Sequence, residues 1–145
     1  MRKLRNNFIV LLFIALTLSA CSRSKNKNIV EINGKEIKVE VANTPELRYN
    51  GLSNRESLRA DYGMLFIFGD KRERTFVMRN MNFPLDIIWI NGNEVIGISK
   101  NLPPEGARYK NFYKSPAPVD YVLEVNAGFT GRNNIQIGNN VNFSL

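Results

Sequence analysis

The sequence predicts an all-β domain, a sandwich or barrel of many short strands with one or two short helices. Alternating apolar and polar runs are separated by turn residues about every ten positions, which is the spacing of short packed strands. Two Asn-Gly pairs stand between such runs, and helix-start signals are few. We therefore expect a core between strand faces rather than between helices.

The two Asn-Gly pairs predict two β-hairpins. Asn33-Gly34 lies between runs 29–32 and 37–41, and Asn91-Gly92 lies between runs 87–90 and 95–98. Both residues of such a pair accept the positive φ that a tight hairpin turn requires. Further strand-like runs are residues 64–68, 75–81, 119–125, 135–137 and 141–143.

Two short helices and one long loop complete the prediction. Thr44 before Pro45, with Gly51 shortly after, predicts a capped helix of one or two turns. Residues 127–133 predict a second helical turn. Four prolines between residues 101 and 118 predict a long structured loop.

The first twenty residues are predicted to be a cleaved lipoprotein signal peptide. A basic start precedes an apolar run at 8–18, which is shorter than the roughly 20 residues of a membrane-spanning helix. The run ends in Leu-Ser-Ala-Cys, which resembles the bacterial lipobox, so Cys21 is the predicted site of lipidation by fatty chains such as palmitate. The alternative is an ordinary signal peptide with an accidental cysteine. The predicted organisation is a signal peptide at 1–20, a lipidated cysteine and polar tether at 21–28, and one β domain at 29–145.

The residue types that are absent exclude several classes of enzyme. The chain has no histidine, and Cys21 is its single cysteine. Without histidine, a Ser-His-Asp triad, a zinc hydrolase and an imidazole phosphotransfer relay are excluded. A lipidated Cys21 leaves no thiol for catalysis, disulfides or metal binding. We therefore expect no cofactor and no metal site.

The net charge and the predicted cellular location indicate the expected partners. The precursor has a net charge of +7 and loses Arg2, Lys3 and Arg5 with the signal peptide, which leaves +4. We expect a monomer held outside the cytoplasm on a lipid bilayer through acylated Cys21, with an envelope glycan or a protein as candidate partner and no nucleic acid. Ser22 lacks the acidic side chain that resembles an inner-membrane retention signal, so the outer membrane is favoured in a Gram-negative cell.

Five motifs follow one another in the domain: G-L-x-x-R-x-x-L at Gly51, G-M-L-F-x-F at Gly63, F-x-M-x-N at Phe76, P-L-D at Pro84 and Y-V-L-E at Tyr121. In this order they resemble the domain-of-unknown-function 192 family, which is widespread and envelope-associated. The resemblance implies a compact β-sandwich of jelly-roll type, no established activity and no catalytic residue to carry over. Met81 departs from the threonine frequent there, and the loop cysteines of some members are absent.

Asp86 is the most informative polar residue, because in an extended strand it shares a face with two isoleucines. A carboxylate on such a face needs hydrogen-bond or charge partners. One hypothesis is a polar cleft lined by Arg55, Glu56, Asn80 and Asp86 that binds a sugar, peptide or small ion. The alternative is structural: Asp86 satisfies loop amides or an arginine, and Asn80 is a turn residue with positive φ.

The long loop is a second candidate site. Tyr109, Phe112 and Tyr113 interleave with basic residues and form a candidate partner-contact surface. Exposed aromatic rings beside cations suit stacking on sugars or docking a protein. The alternative is that the rings pin the loop to the domain while the basic residues face water.

Three functions compete. The first is a non-catalytic binding or assembly module of the cell envelope, which the missing histidine and thiol favour. The second is a carboxylate-dependent enzyme acting on envelope glycan, which needs two carboxyls roughly 5 to 9.5 Å apart across an open groove. The third is a hard-cation site built from Asp86, Glu56 or Asp61. It ranks last, because calcium takes about six to eight oxygen ligands and no acidic run supplies them.

Overall fold

The computed structural model describes residues 28–145, so the predicted signal peptide and Cys21 lie outside the described residues. The elements in chain order are β1 (Ile29–Ile32), β2 (Lys35–Ala42), α1 (Pro45–Asn50), β3 (Tyr62–Arg72), β4 (Thr75–Phe76), β5 (Leu85–Asn91), β6 (Glu94–Leu102), β7 (Tyr113–Lys114), β8 (Val119–Asn126), α2 (Phe129–Arg132) and β9 (Val141–Ser144). The predicted all-β class with two short helices is confirmed. Within these residues, neither helix has the length and apolar character needed to cross a membrane.

Seven strands form one curled sheet in the order β6-β5-β8-β3-β2-β1-β9, and β4 pairs with β7 as a separate ribbon. Within the large sheet, β2 and β3 run parallel and the other neighbours run antiparallel. The sheet curls until its two edges meet, with a bridge between Glu94 and Asn140 and a 2.8 Å bond from the Val141 amide to the Asn93 carbonyl. The edge amides are thereby partly satisfied.

Both predicted hairpins form. Asn33 and Gly34, with φ of 51° and 72°, make the two-residue turn between β1 and β2. The second turn is shifted by one residue from the prediction: Asn91 pairs with Glu94 inside the ladder, so the turn is Gly92-Asn93. Glycine with positive φ at the first turn position is what a type II′ turn requires.

Two predicted strands are wrong, one over part of its length and the other throughout. Of run 75–81, only Thr75–Phe76 is a strand, and the rest lies irregularly over the sheet with Met78 and Met81 buried. Run 135–137 contains no strand. Met78, Met81 and Ile135 pack on the core while Ile137 is exposed, and an alternating pattern does not distinguish such packing from strand pairing.

The central strands are buried on both faces, and every residue from Leu85 to Ile90 is buried. One core cluster, which includes Ile88, Leu123 and Phe129, fills the inside of the curl. The second cluster, which includes Phe66 and Trp89, lies on the outer face under segment 77–83 and the β4–β7 ribbon. This outer layer holds the cavity described next.

Candidate functional site

A cavity of about 510 Å³ opens on the outer face of the sheet. The sheet contributes Phe66 from β3 and Glu124 from β8, while α1, the turn after it and segment 73–81 form the walls. Apolar side chains such as Leu52, Phe76 and Met81 make up about half of the lining, and polar side chains make up the rest. Its volume lies within the roughly 300 to 1,000 Å³ of small-molecule sites.

The Glu124 side chain is the polar group on the sheet side of this cavity. Only 5% of the residue is exposed, and its neighbours across the sheet are Met64 on β3 and Ile87 on β5. No hydrogen bond or ion pair reaches its carboxyl from residues 28–145. Burial raises the pKa of Glu124 from an ordinary 4.5 to about 8, because desolvation disfavours the charged form. At neutral pH the side chain is therefore a carboxylic acid that can donate and accept hydrogen bonds.

Three arginines, Arg48, Arg74 and Arg79, also line the cavity. The Arg79 guanidinium lies 3.9 Å from the centre of the Tyr49 ring. The Arg74 guanidinium lies 3.9 Å from the centre of the Phe68 ring. Arg74 pairs at 2.7 Å with Asp70, which it shares with Arg72, whereas no carboxylate in the described part of the chain lies within ion-pair distance of Arg48 or Arg79. The cavity thus combines apolar walls, a buried acid and two arginines without an ion-pair partner.

A smaller polar pocket of about 270 Å³ adjoins the cavity and shares Tyr49, Asn50, Ser53 and Arg79 with it. Its remaining walls are Asn54 and Asn80, both with positive φ, joined by a 2.7 Å bond from the Asn54 amide to the Asn80 carbonyl. The positive φ of Asn80 agrees with the structural alternative for this residue.

The structure corrects the predicted placement of Asp86, which is fully buried and faces no open cleft. Its carboxylate accepts four hydrogen bonds: from the amides of Asn101, Gly128 and Thr130 at 2.9, 3.1 and 3.0 Å, and from the Thr130 hydroxyl at 2.7 Å. These bonds fix the start of α2 and the end of β6 to β5. Asp86 therefore satisfies loop amides, as the structural alternative expected.

The other members of the predicted cleft lie apart from Asp86. Arg55 makes a bidentate pair with Glu40 at 2.6 and 2.8 Å, and Glu56 is exposed. Of the four predicted residues, only Asn80 lines either of the two pockets described above. The predicted polar cleft is therefore not assembled from these residues.

The loop residues are placed in different ways. Phe112 is 60% exposed and packs edge-on against the half-buried Tyr109, with 5.6 Å between ring centres. Tyr113 belongs to β7 and packs against the outer core cluster. The Glu105 carboxylate orders the loop by accepting bonds from the Lys110 amide at 2.8 Å and the Asn111 amide at 3.4 Å.

The carboxylates of the predicted cation site do not meet. Asp61 pairs with Lys38 at 2.6 Å, while Asp86 is enclosed by its own donors. Across residues 28–145, no cluster of three or more acidic, histidine or cysteine side chains has the geometry to hold a metal ion.

Reasoning from the sequence missed Glu124, Arg48 and Arg79 as site residues. A signal for Glu124 was present, because in the run Val119–Asn126 it alternates with Leu123 and Val125 and so faces the same side as Val122. The same argument from alternating side chains identified Asp86 in the sequence. No comparable signal existed for the arginines, whose approach to the cavity depends on how α1 and segment 73–81 cross the sheet.

Comparisons with known proteins place the chain among uncharacterised relatives. The DUF192 family model, described as "Uncharacterized ACR", matches residues 28–143. A solved structure from Sinorhizobium meliloti 1021, of a protein suggested to be a transcription regulator, is 32% identical with a TM-score of 0.74, and the match covers 81% of this chain and 93% of that one. A protein of unknown function from Novosphingobium aromaticivorans DSM 12444 is 30% identical with a TM-score of 0.73, over 79% of this chain and 83% of that one. No curated protein matches the chain at a significant level.

Proposed function

Because the chain belongs to the domain-of-unknown-function 192 family, whose members bring no established activity, we propose a function from the site: a non-catalytic module that binds a small ligand in the cavity over Glu124. The observation that carries the proposal is Glu124, a residue that is 95% buried and whose carboxyl has no hydrogen-bond or ion-pair partner among the described residues. An unpartnered buried polar group costs free energy. A ligand that supplies the missing partner recovers that free energy, so the site favours occupancy.

The surroundings of Glu124 support binding rather than simple packing. The cavity opens to solvent, its lining includes three phenylalanine rings, and Arg79 is stacked on the ring of Tyr49, which also lines it. Side chains held in place before binding lose little entropy when a ligand arrives. The absence of histidine, together with the use of Cys21 as the lipid anchor, agrees with a role that involves no chemistry on the ligand.

The binding test uses the neutral fluorescent probe N-phenyl-1-naphthylamine, which brightens in an apolar site. We expect saturable binding to the purified chain and its loss in Thr75→Trp, where an indole replaces a side chain that lines the cavity. Ser144→Trp, at an exposed position on β9, is the matched control and should bind like the wild type. Probe binding that is absent, or equal in both tryptophan variants, contradicts the proposal.

The proposal also includes a location in the cell envelope, where lipidated Cys21 anchors the protein to a membrane. The supporting observation is the Leu-Ser-Ala-Cys sequence after a basic and apolar start. Cells fed labelled palmitate should label the wild-type chain but not Cys21→Ser, and the label should fractionate with membranes. An unlabelled wild-type chain would refute the anchor without affecting the cavity.

A second candidate is the carboxylate-dependent enzyme acting on envelope glycan. It is favoured by the protonated Glu124, which at neutral pH has the form of a general acid, and by Glu73, which lines the same cavity. This function requires release of reducing sugar from purified wall glycan and its loss in Glu73→Gln and Glu124→Gln. Binding of the probe without glycan cleavage leaves the non-catalytic module as the function.

A further inference from the structure

The charge at the mouth of the cavity indicates the sign of the ligand. Arg48 and Arg79 have no carboxylate partner among residues 28–145, whereas Arg55, Arg72 and Arg74 are all paired. Glu73 is the acidic residue that lines the mouth, and it is exposed. Asp70 is shared between Arg72 and Arg74, so Arg48, Arg74 and Arg79 outweigh Glu73 and the lining carries a net positive charge. A negative group on the ligand would offset part of this charge.

Both unpaired guanidinium groups are held in position by the backbone. Arg79 donates through Nη2 to the Tyr49 carbonyl at 2.6 Å, and Arg48 donates through Nη1 to the carbonyls of Asn43 and Ile67 at 2.8 and 3.0 Å. Arg48 also lies 5.2 Å from the centre of the Phe68 ring. The planar guanidinium presents several N–H groups in a fixed fork that matches a carboxylate. These contacts therefore orient an anion site before any ligand arrives.

Conditions at the sheet side of the cavity differ from those at its mouth. Glu124 is desolvated by its surroundings, and the apolar side chains of Phe66 and Met81 line the same cavity. A cationic ligand end would have to pass the arginines and force Glu124 to ionise in a desolvated place, which is costly. A neutral hydroxyl accepts a hydrogen bond from the protonated acid and donates one back.

On the basis of the proposed function, we propose that the ligand is a hydroxylated organic acid with an apolar body. Its acid group lies against Arg48 and Arg79 at the mouth, and its hydroxyl, at the far end of the apolar body, pairs with Glu124. The apolar body lies between them against Leu52, Phe66 and Phe76. The site thus selects by charge at one end and by hydrogen bonding at the other.

The test is displacement of N-phenyl-1-naphthylamine by three compounds of equal chain length: 10-hydroxydecanoate, decanoate and decylamine. The affinity of the probe itself is measured for every variant, and the displacement data are corrected for it. We expect 10-hydroxydecanoate to displace it at about tenfold lower concentration than decanoate, because the hydroxyl satisfies the buried acid. Decylamine should fail to compete.

Three variants separate the two ends of the site. Arg79→Gln should weaken both acids about tenfold, because it removes a charge-assisted hydrogen bond. Arg59→Gln, at an exposed arginine that does not line the cavity, should leave both unchanged. The Glu124→Leu variant should bind the two acids equally. It lacks the hydrogen-bond partner of the hydroxyl but keeps the contacts with the apolar body of the ligand.

The outcomes are distinguishable from those of the proposed function. If the probe binds in the cavity but decylamine displaces it as well as decanoate does, the charge assignment is wrong and the binding module stands. Equal affinity of wild type for the two acids overturns the assignment of Glu124. Failure of the probe itself to bind contradicts the proposed function and this inference together.

Discussion

Replacing Glu124 by glutamine should change how the stability of the protein depends on pH. The pKa of Glu124 is raised from 4.5 to about 8 in the folded protein. A raised pKa means that the folded state holds its proton more tightly than the unfolded state does. The contribution of Glu124 to the free energy of unfolding is therefore fully present below pH 4.5 and is lost as the pH rises to 8. The free energy of unfolding should fall by about 1.4 kcal/mol per pH unit, about 4 to 5 kcal/mol in all.

Glu124→Gln is uncharged at every pH and should lack this fall. Urea denaturation between pH 4.5 and pH 8 measures the effect, with fluorescence of Trp89, which is the chain's single tryptophan and is buried, as the signal. Glu36→Gln, at an exposed strand position, controls for the loss of one negative charge. The glutamine variant should equal the wild type near pH 4.5 and exceed it by about 4 kcal/mol at pH 8. Parallel curves for the wild type and Glu124→Gln would refute the reasoning.

Three further predictions test the packing around the site. Asp86→Asn should lower the free energy of unfolding in urea by about 3 kcal/mol, because buried amides lose an acceptor. Gly63→Ala should lower the thermal midpoint while Gly69→Ala should not, since a Cβ at Gly63 would lie 2.8 Å from a carbonyl oxygen on β8 and one at Gly69 meets nothing within 4 Å. Equal midpoints would contradict this. Arg55→Ala should lower the free energy of unfolding by less than about 1 kcal/mol in the same urea assay, because its pair with Glu40 is partly exposed and screened by solvent.

The local features of the fold were predictable because they depend on neighbouring residues. The turn at Asn33-Gly34 follows from two residues that accept positive φ, and the cap of α1 follows from Thr44, whose Oγ1 accepts from the Leu47 amide at 3.2 Å. Alternation also indicated correctly that both faces of β5 are covered. Each inference needed no knowledge of distant contacts.

The remaining features depend on contacts between distant parts of the chain. Run 75–81 alternates like a strand, yet after Phe76 its apolar residues Met78 and Met81 cover the outer core. The parallel pairing of β2 with β3 requires the crossing through α1, which no pattern in either strand encodes. The cavity exists because α1 and segment 73–81 meet over the sheet without filling the space, so its arginines could not be assigned beforehand.

The two buried carboxylates lie on adjacent strands and face opposite sides of the same sheet. Asp86 points into the curl and is enclosed by four hydrogen bonds, whereas Glu124 points outward into the cavity and has no partner among the described residues. Alternation identifies both positions equally well, so sequence cannot separate them. Their surroundings separate them: the Asp86 carboxyl has hydrogen-bond donors around it, while burial raises the pKa of Glu124 so that it keeps a proton that a ligand can use. For this reason Asp86→Asn should lower stability without affecting ligand selectivity, and Glu124→Leu should affect selectivity while the fold persists.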